Sequence, residues 1–195
     1  MARTLARILL APPALALLGL YRCGWIEFVT GSRLLALVPG AAGRWWRRVW
    51  YRRTLAGCGD DLEVDWMAAF RTPRAKVGHR VFVGTFCWIG WAEIGDDVMM
   101  GGHVTVLSGG RHHDFERLDV PMRQQPGELE RIAIGADVWI GNGAIVLADV
   151  APGTVVGAGA VVNRTFDPHA ILAGIPARVI GSRAKPPSTA DATNA

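Results

Sequence analysis

The sequence is short of cysteine, with only Cys23, Cys58 and Cys87 in 195 residues. They are odd in number and widely spaced. No C-x-x-C pair occurs and no histidine stands at zinc-finger distance, which argues against a disulfide framework and a structural zinc site and fits a reducing, cytoplasmic setting. Long apolar runs are also missing. The stretch ILLAPPALALLGL, residues 8–20, is 13 residues long and cut by Pro12 and Pro13, whereas a bilayer span takes about 20 apolar residues. No A-x-A-like cleavage site follows it closely, so the sequence does not read as a clear export signal. Acid is almost absent from residues 1–55, where nine arginines face Glu27 alone, giving +8 against −4 for the other 140 residues. No nucleic-acid-binding motif accompanies that charge, and the arginines stand among Trp and Leu rather than along a polar face, so nucleic acid is not the expected partner.

What is present falls into two parts, and the length suits one main domain with an appendage. By composition residues 1–55 read as a basic, apolar, helical segment. Within it, GRWWRRVWYRRTL (residues 43–55) interleaves Trp45, Trp46, Trp50 and Tyr51 with Arg44, Arg47, Arg48, Arg52 and Arg53. Two readings fit: a patch that rests on an anionic membrane surface from the inner face, rings at headgroup level and guanidinium groups on lipid phosphate, or a helical cap whose tryptophans pack on the main domain.

From Val77 onward an aliphatic residue followed by glycine returns every six residues: Val77, Val83 and Ile89, then Ile94 and Met100 after one five-residue step, with Val106 in phase. The register resumes at Ile134, Ile140 and Val146, and again at Val156 and Val162. Glycine follows eight of the ten such positions from Val77 to Val156 although it makes up about one residue in eight, so the pattern is not chance. A period of six is a short strand plus a turn with one side chain pointing into a shared interior. Three units close a triangular coil, glycine serves the turns through φ > 0 or close backbone approach, and stacked coils bury a continuous aliphatic column. The expectation is an all-β fold, a parallel β-helix over residues 56–183, with residues 184–195 as a disordered tail.

The segments IGADVWIGNGAIV, VVGAGAVVNRTF and ILAGIPARVI, in that order, resemble the hexapeptide-repeat O-acetyltransferases, most of all those acting on maltose, nodulation factor and colanic-acid or capsular polysaccharide. The likeness runs over residues 75–183. It implies a left-handed coil, a homotrimer, acetyl-CoA as co-substrate in a groove between subunits, a saccharide acceptor in exopolysaccharide or capsule synthesis, and a catalytic histidine on a protruding loop.

The repeat breaks once at length, from Gly109 to Arg131, and that excursion carries His112 and His113. Loops of this size inside a compact fold are usually functional. Acyl transfer to a hydroxyl needs a base, and imidazole suits it. The family's catalytic histidine is directly followed by Pro or Asp, which matches His113–Asp114 and makes His113 the expected base, with His112 the alternative. The resemblance further places acetyl-CoA contacts at Asn142, Ala158, Asn163, Arg164, Arg178 and Arg183, with Lys185 as added charge, and expects no metal. Cys87 reads as a small core residue, and Trp139 as packing. Where maltose-type enzymes hold an acceptor-contacting Asn, this chain has GTFCW, residues 84–88, which leaves the acceptor open. Three competitors remain: a xenobiotic acetyltransferase, a γ-class carbonic anhydrase built on His79, His103 and the loop histidines, and a non-enzymatic scaffold.

Overall fold

The computed structural model describes residues 12–184. Lys185 and all but the first residue of the expected tail lie outside the described residues, as do Arg3 and Arg7. Three helices come first: α1 (Pro12–Arg22), α2 (Phe28–Ala36) and α3 (Gly40–Thr54). Sixteen short strands follow, most of two residues, on three parallel faces of a left-handed β-helix. The first face has four strands, the second seven and the third five. Each coil visits the faces in that order, with register partners such as Val83 with Met100 and Ile89 with Val106.

The column residues read from the repeat all point inward. Val77, Val83, Ile89, Ile94, Met100, Val106, Ile134, Ile140, Val146, Val156 and Val162 are buried, and Cys87 is buried with them. The role of glycine is narrower than the sequence implied. Glycines that follow column residues do not supply positive φ; a Cβ on Gly84 would lie 2.6 Å from the Gly101 carbonyl, and one on Gly101 would lie 2.9 Å from the Asn142 nitrogen. Their need is close stacking of coil on coil. The left-handed residue comes two positions later and is often not glycine: Arg80, Phe86, Asp97, His103 and Asp137 all have φ between 55° and 59°. Trp139 does not pack as expected, since its ring stands outward and is 52% exposed.

A solenoid must close its open end, because the last coil otherwise presents its column to water. Here α3 covers it: Tyr51 lies edge-on to Phe70 at 4.8 Å, and its hydroxyl accepts the Phe70 N–H at 3.3 Å. Trp50 is fully buried and donates to the Ser32 hydroxyl at 3.1 Å, stacking near Phe28. Gly31 lets that indole in, since a Cβ there would be 2.4 Å from the ring.

The cap reading therefore describes residues 43–55, and most of their arginines face the β-helix rather than lipid. Arg47 is buried, donating through Nε to the Val64 carbonyl at 2.8 Å and through one terminal nitrogen to those of Leu35 at 2.7 Å and Val38 at 2.8 Å. Burial pushes its pKa below the ordinary value. Arg44 pairs with Asp65 at 3.8 Å, Arg48 with Asp61 and Glu63 at 3.6 and 3.7 Å, and Arg52 with Asp60 at 3.0 Å. Among the described residues only Arg53 of the five reaches neither a carboxylate nor a carbonyl beyond its own helix, donating to Val49 at 3.2 Å. Among the described residues no helix is long and apolar enough to cross a membrane.

Candidate active site

The long break leaves the third face after β9 (Thr105–Val106) and returns at β10 (Ile132–Ile134) on the first face. It thus projects from the corner between them, the third corner of the triangle. Its two arms run side by side. The Glu130 N–H donates to the Ser108 carbonyl at 2.9 Å, Glu128 to Arg111 at 2.9 Å, and Asp114 to Pro126 at 2.6 Å. Gly127 sits where they are tightest, since a Cβ on it would lie 2.0 Å from the His112 carbonyl oxygen and 2.7 Å from the His113 nitrogen.

This pairing separates the two histidines. His112 turns back to the root of the loop, where its Nε2 accepts the Ser108 N–H at 3.2 Å. That bond occupies the Nε2 lone pair of His112. His113 is exposed and makes no hydrogen bond among the described residues. The Asp114 carboxylate is turned to Arg111 at 3.2 Å, and Arg111 also pairs with Glu116 at 2.6 Å. Those carboxylates, Glu116 foremost, raise the Arg111 pKa above its ordinary value.

Several supports were not legible in the sequence. Ser108 is buried; besides its tie to His112, its hydroxyl accepts the Trp91 N–H at 2.8 Å, locking the loop root to the coil below. Gln125, also buried, spans the loop's outer half, donating to the carbonyls of Arg117 and Val120, each at 2.8 Å. A polar residue with an apolar fate in the middle of an aperiodic segment was the only signal. Beside the root lies a cleft of about 550 Å³ lined by Arg111, Arg131, Leu147, Asp149, Asn163 and Thr165, a volume in the range of small-ligand sites.

The residues assigned to acetyl-CoA fall on different corners of one chain. Asn142 and Ala158 stand on successive coils at the second corner, where the Asn142 carboxamide oxygen also accepts the Gly102 N–H at 3.0 Å. Beside them Gly143 and Gly159 leave bare backbone, with no atom within 4 Å of a Cβ on Gly159. Lower coils carry rings at the same corner, Trp66 on Phe86 at 5.3 Å and Phe86 stacked on His103 at 4.8 Å. Asn163 and Arg164 lie at the third corner after β14 (Val161–Val162), with the Arg164 guanidinium over Phe166. Arg178 opens β16 (Arg178–Ser182), which folds back antiparallel on β15 (Ala170–Ala173). Arg183 is at the first corner, tied to the Asp137 carboxylate and the Gly153 carbonyl, each at 2.9 Å.

Such an arrangement suits a long flexible thioester better than a metal. The bare second corner offers backbone to an amide-bearing arm, and Arg164 and Arg178 are cationic and exposed. The five histidines are spread over three corners: His79 beside Asp60 and His169 beside Gly153 at the first, His103 on Phe86 at the second, and the loop pair at the third. Among the described residues no three His, Cys, Asp or Glu side chains converge on a metal position. The Cys87 thiol, pushed up to about 11 by burial, is no nucleophile at neutral pH.

No family model matches the sequence. Curated proteins do. A galactoside O-acetyltransferase of Escherichia coli is 36% identical over 91 residues, 45% of this chain and 42% of that protein. A chloramphenicol acetyltransferase of Agrobacterium fabrum is 32% identical over 119 residues, 53% and 52% of the two chains. A serine acetyltransferase of Mycobacterium tuberculosis is 30% identical over 167 residues, 78% of this chain and 65% of that one. The chain thus spans from under half to just under two thirds of these relatives. Among solved structures, a maltose O-acetyltransferase from Clostridium difficile superposes with a TM-score of 0.66 at 24% identity, over 82% of this chain and 90% of that one. With the six-residue period, the three-faced coil and the histidine-bearing break of its register, the curated likenesses support the hexapeptide-repeat acetyltransferase family for this chain, and the solved structure supports its fold.

Proposed function

We propose that the protein is an acyl-CoA-dependent O-acetyltransferase that moves an acetyl group from acetyl-CoA to a saccharide hydroxyl, with His113 as general base. The observation that carries the assignment of the base is the contrast between the two loop histidines. His112 spends its Nε2 on the Ser108 N–H, while His113 is exposed on the paired arms. His113 takes the hydroxyl proton as the oxygen attacks the thioester carbonyl, and returns it to the departing thiolate as the carbon–sulfur bond breaks. Backbone N–H groups hold the negative charge that develops on the carbonyl oxygen. Use of a CoA thioester is supported by the fold's likeness, at a TM-score of 0.57, to a Bacillus cereus N-acyltransferase solved with dTDP and Coenzyme A.

The working unit in this reading is a homotrimer, which brings the third-corner loop of one subunit to the second corner of the next. An apolar ladder on the second face supports it: Phe82, Met99, Trp139, Val155 and Ile171 are register neighbours with outward side chains, and Met99 and Trp139 are about half exposed in one chain, at 51% and 52%. In this reading the acceptor belongs to exopolysaccharide or capsule assembly at the cytoplasmic leaflet, which the basic, apolar N-terminal segment supports. The 32% identity to a chloramphenicol acetyltransferase supports a second reading, a xenobiotic acceptor.

The test is thiol release from acetyl-CoA with maltose, a galactoside or chloramphenicol as acceptor. His113→Ala should lower turnover by about two to four orders of magnitude while acetyl-CoA still raises the melting temperature; His112→Ala should cost far less. The reverse ranking removes His113 as base. Turnover confined to chloramphenicol removes the saccharide, and no stabilisation by acetyl-CoA together with no turnover leaves a scaffold.

A further inference from the structure

Among the described residues nothing packs on the outermost layer of the helical cap. Helix α1 packs on α2 and α3 through Ala14 and Leu18, both buried, and through Tyr21, whose ring sits 5.5 Å from Trp50 and 6.2 Å from Phe28. Its opposite side, Pro13, Leu15, Ala16 and Gly19, is exposed. Pro12–Arg22 is apolar on both sides, with one charge at its last residue. A helix apolar all round belongs in a core or a membrane environment, yet this one is at the surface. The turn that follows carries Trp25, which is 79% exposed. Exposure of so large an apolar side chain costs free energy in water that burial against a partner surface offsets.

We infer that this face, the outer side of α1 with Trp25, seats on an anionic lipid surface. Charge selects that occupant. Between Pro12 and Leu55 the one acid is Glu27, and the arginines divide into two sets. Arg44, Arg48 and Arg52 are paired to carboxylates of the first coil and Arg47 is buried; Arg22, Arg33 and Arg53 are exposed, and none holds an ion pair among the described residues. Directly before α1 the sequence runs MARTLARILLA, two more arginines with an aliphatic run and no acid. An apolar helix face that ends in Arg22 and is followed by an exposed indole, in a segment rich in arginine, matches the boundary between headgroup and acyl chain. The surface of lipid contact is therefore α1 and its following turn, while the arginine-rich α3 holds the cap to the β-helix.

The inference is independent of the reaction proposed above, because vesicle binding is read without acceptor or acetyl-CoA. Full-length protein is co-sedimented with vesicles of phosphatidylcholine and phosphatidylglycerol in equal parts, and with phosphatidylcholine alone. Wild type should pellet with the mixed vesicles at low salt, partly release as salt rises, and bind phosphatidylcholine poorly. The double variant Leu15→Ser, Trp25→Ser should bind the mixed vesicles at least about tenfold more weakly with only a small loss in melting temperature, since Trp25 is 79% and Leu15 45% exposed. The triple variant Arg44→Gln, Arg48→Gln, Arg52→Gln should bind as wild type does. Wild type left in the supernatant overturns the inference, as does release by the triple and not the double variant. A double variant whose mass in lipid-free solution drops relative to wild type assigns the face to a second copy of the chain and equally overturns it.

Discussion

Replacing Arg47 by leucine tests whether one buried cation fastens the helical cap to the β-helix. The guanidinium serves three carbonyls on three segments: Leu35 at the end of α2, Val38 in the connection to α3, and Val64 in the first coil. Leucine leaves all three without that donor. The Leu35 carbonyl keeps the Val38 N–H at 3.3 Å, so two oxygens lose a strong partner, at about 1–3 kcal/mol each. Against this, one terminal nitrogen of Arg47 is buried with no acceptor, and removing it together with the desolvated charge returns roughly 1–3 kcal/mol. The larger effect is the orphaned carbonyls, because they outnumber the orphaned nitrogen and leucine cannot fill the guanidinium's planar volume. A net loss of about 1–3 kcal/mol follows, or roughly 2–12 °C in melting temperature for a chain of this size.

The loss should be local. Hydrogen exchange should deprotect the amides of α2, α3 and the first coil while those around Ile140 and Val156 keep their protection. Arg52→Leu is the contrast. Its pair with Asp60 at 3.0 Å joins side chains 49% and 66% exposed, so it should cost under about 1 kcal/mol. Equal melting temperatures for Arg47→Leu and wild type, or a rise, would refute the reasoning and mean that desolvation of the guanidinium outweighs its three hydrogen bonds.

Gly127→Ala places a methyl group 2.0 Å from the His112 carbonyl, so the arms must part; thiol release should fall about ten- to a hundredfold with little change in melting temperature. At pH 8 iodoacetamide should label exposed Cys23 and spare Cys87, whose pKa of about 11 leaves a thiolate fraction on the order of one in a thousand; early mass gain on Cys87 would contradict its burial. Met99→Glu with Trp139→Glu puts two like charges side by side on the second face, and light scattering should give a monomer where wild type gives a trimer.

The aliphatic column was readable because each of its members must be apolar and each recurs on a fixed period; burial of Val83, Met100 and Ile140 follows from spacing alone. The first coil escaped the aliphatic–glycine signature. Val64 and Phe70 are fully buried, but Asp65 and Arg71 follow them. Periodicity equally says nothing about which end of the column needs a lid. That depended on Trp50 and Tyr51 turning inward from a helix whose composition also suited lipid, a choice settled by contacts as distant in sequence as Tyr51 with Phe70.

The loop's location was legible as a lapse in register, its internal geometry was not. Nothing in the order Arg111-His112-His113-Asp114 says that Nε2 of the first histidine meets the Ser108 N–H; that depends on Glu128 and Glu130 returning against Arg111 and Ser108 across the loop. The cofactor residues taken from the resemblance show the opposite limit, since sequence aligns them but cannot say what else engages each one. Arg183 is the informative case. Its guanidinium is committed to the Asp137 carboxylate and the Gly153 carbonyl at the first corner, and leaving them would strip an ion pair and a backbone acceptor together. Arg164 lies over Phe166, and among the described residues Arg178 bonds only its neighbour's carbonyl, that of Ala177 at 3.0 Å. Both can swing toward a phosphate while breaking no ion pair, so in the proposed enzyme the nucleotide's charge falls to them, and substituting Arg183 should weaken the first corner more than it weakens binding of the thioester.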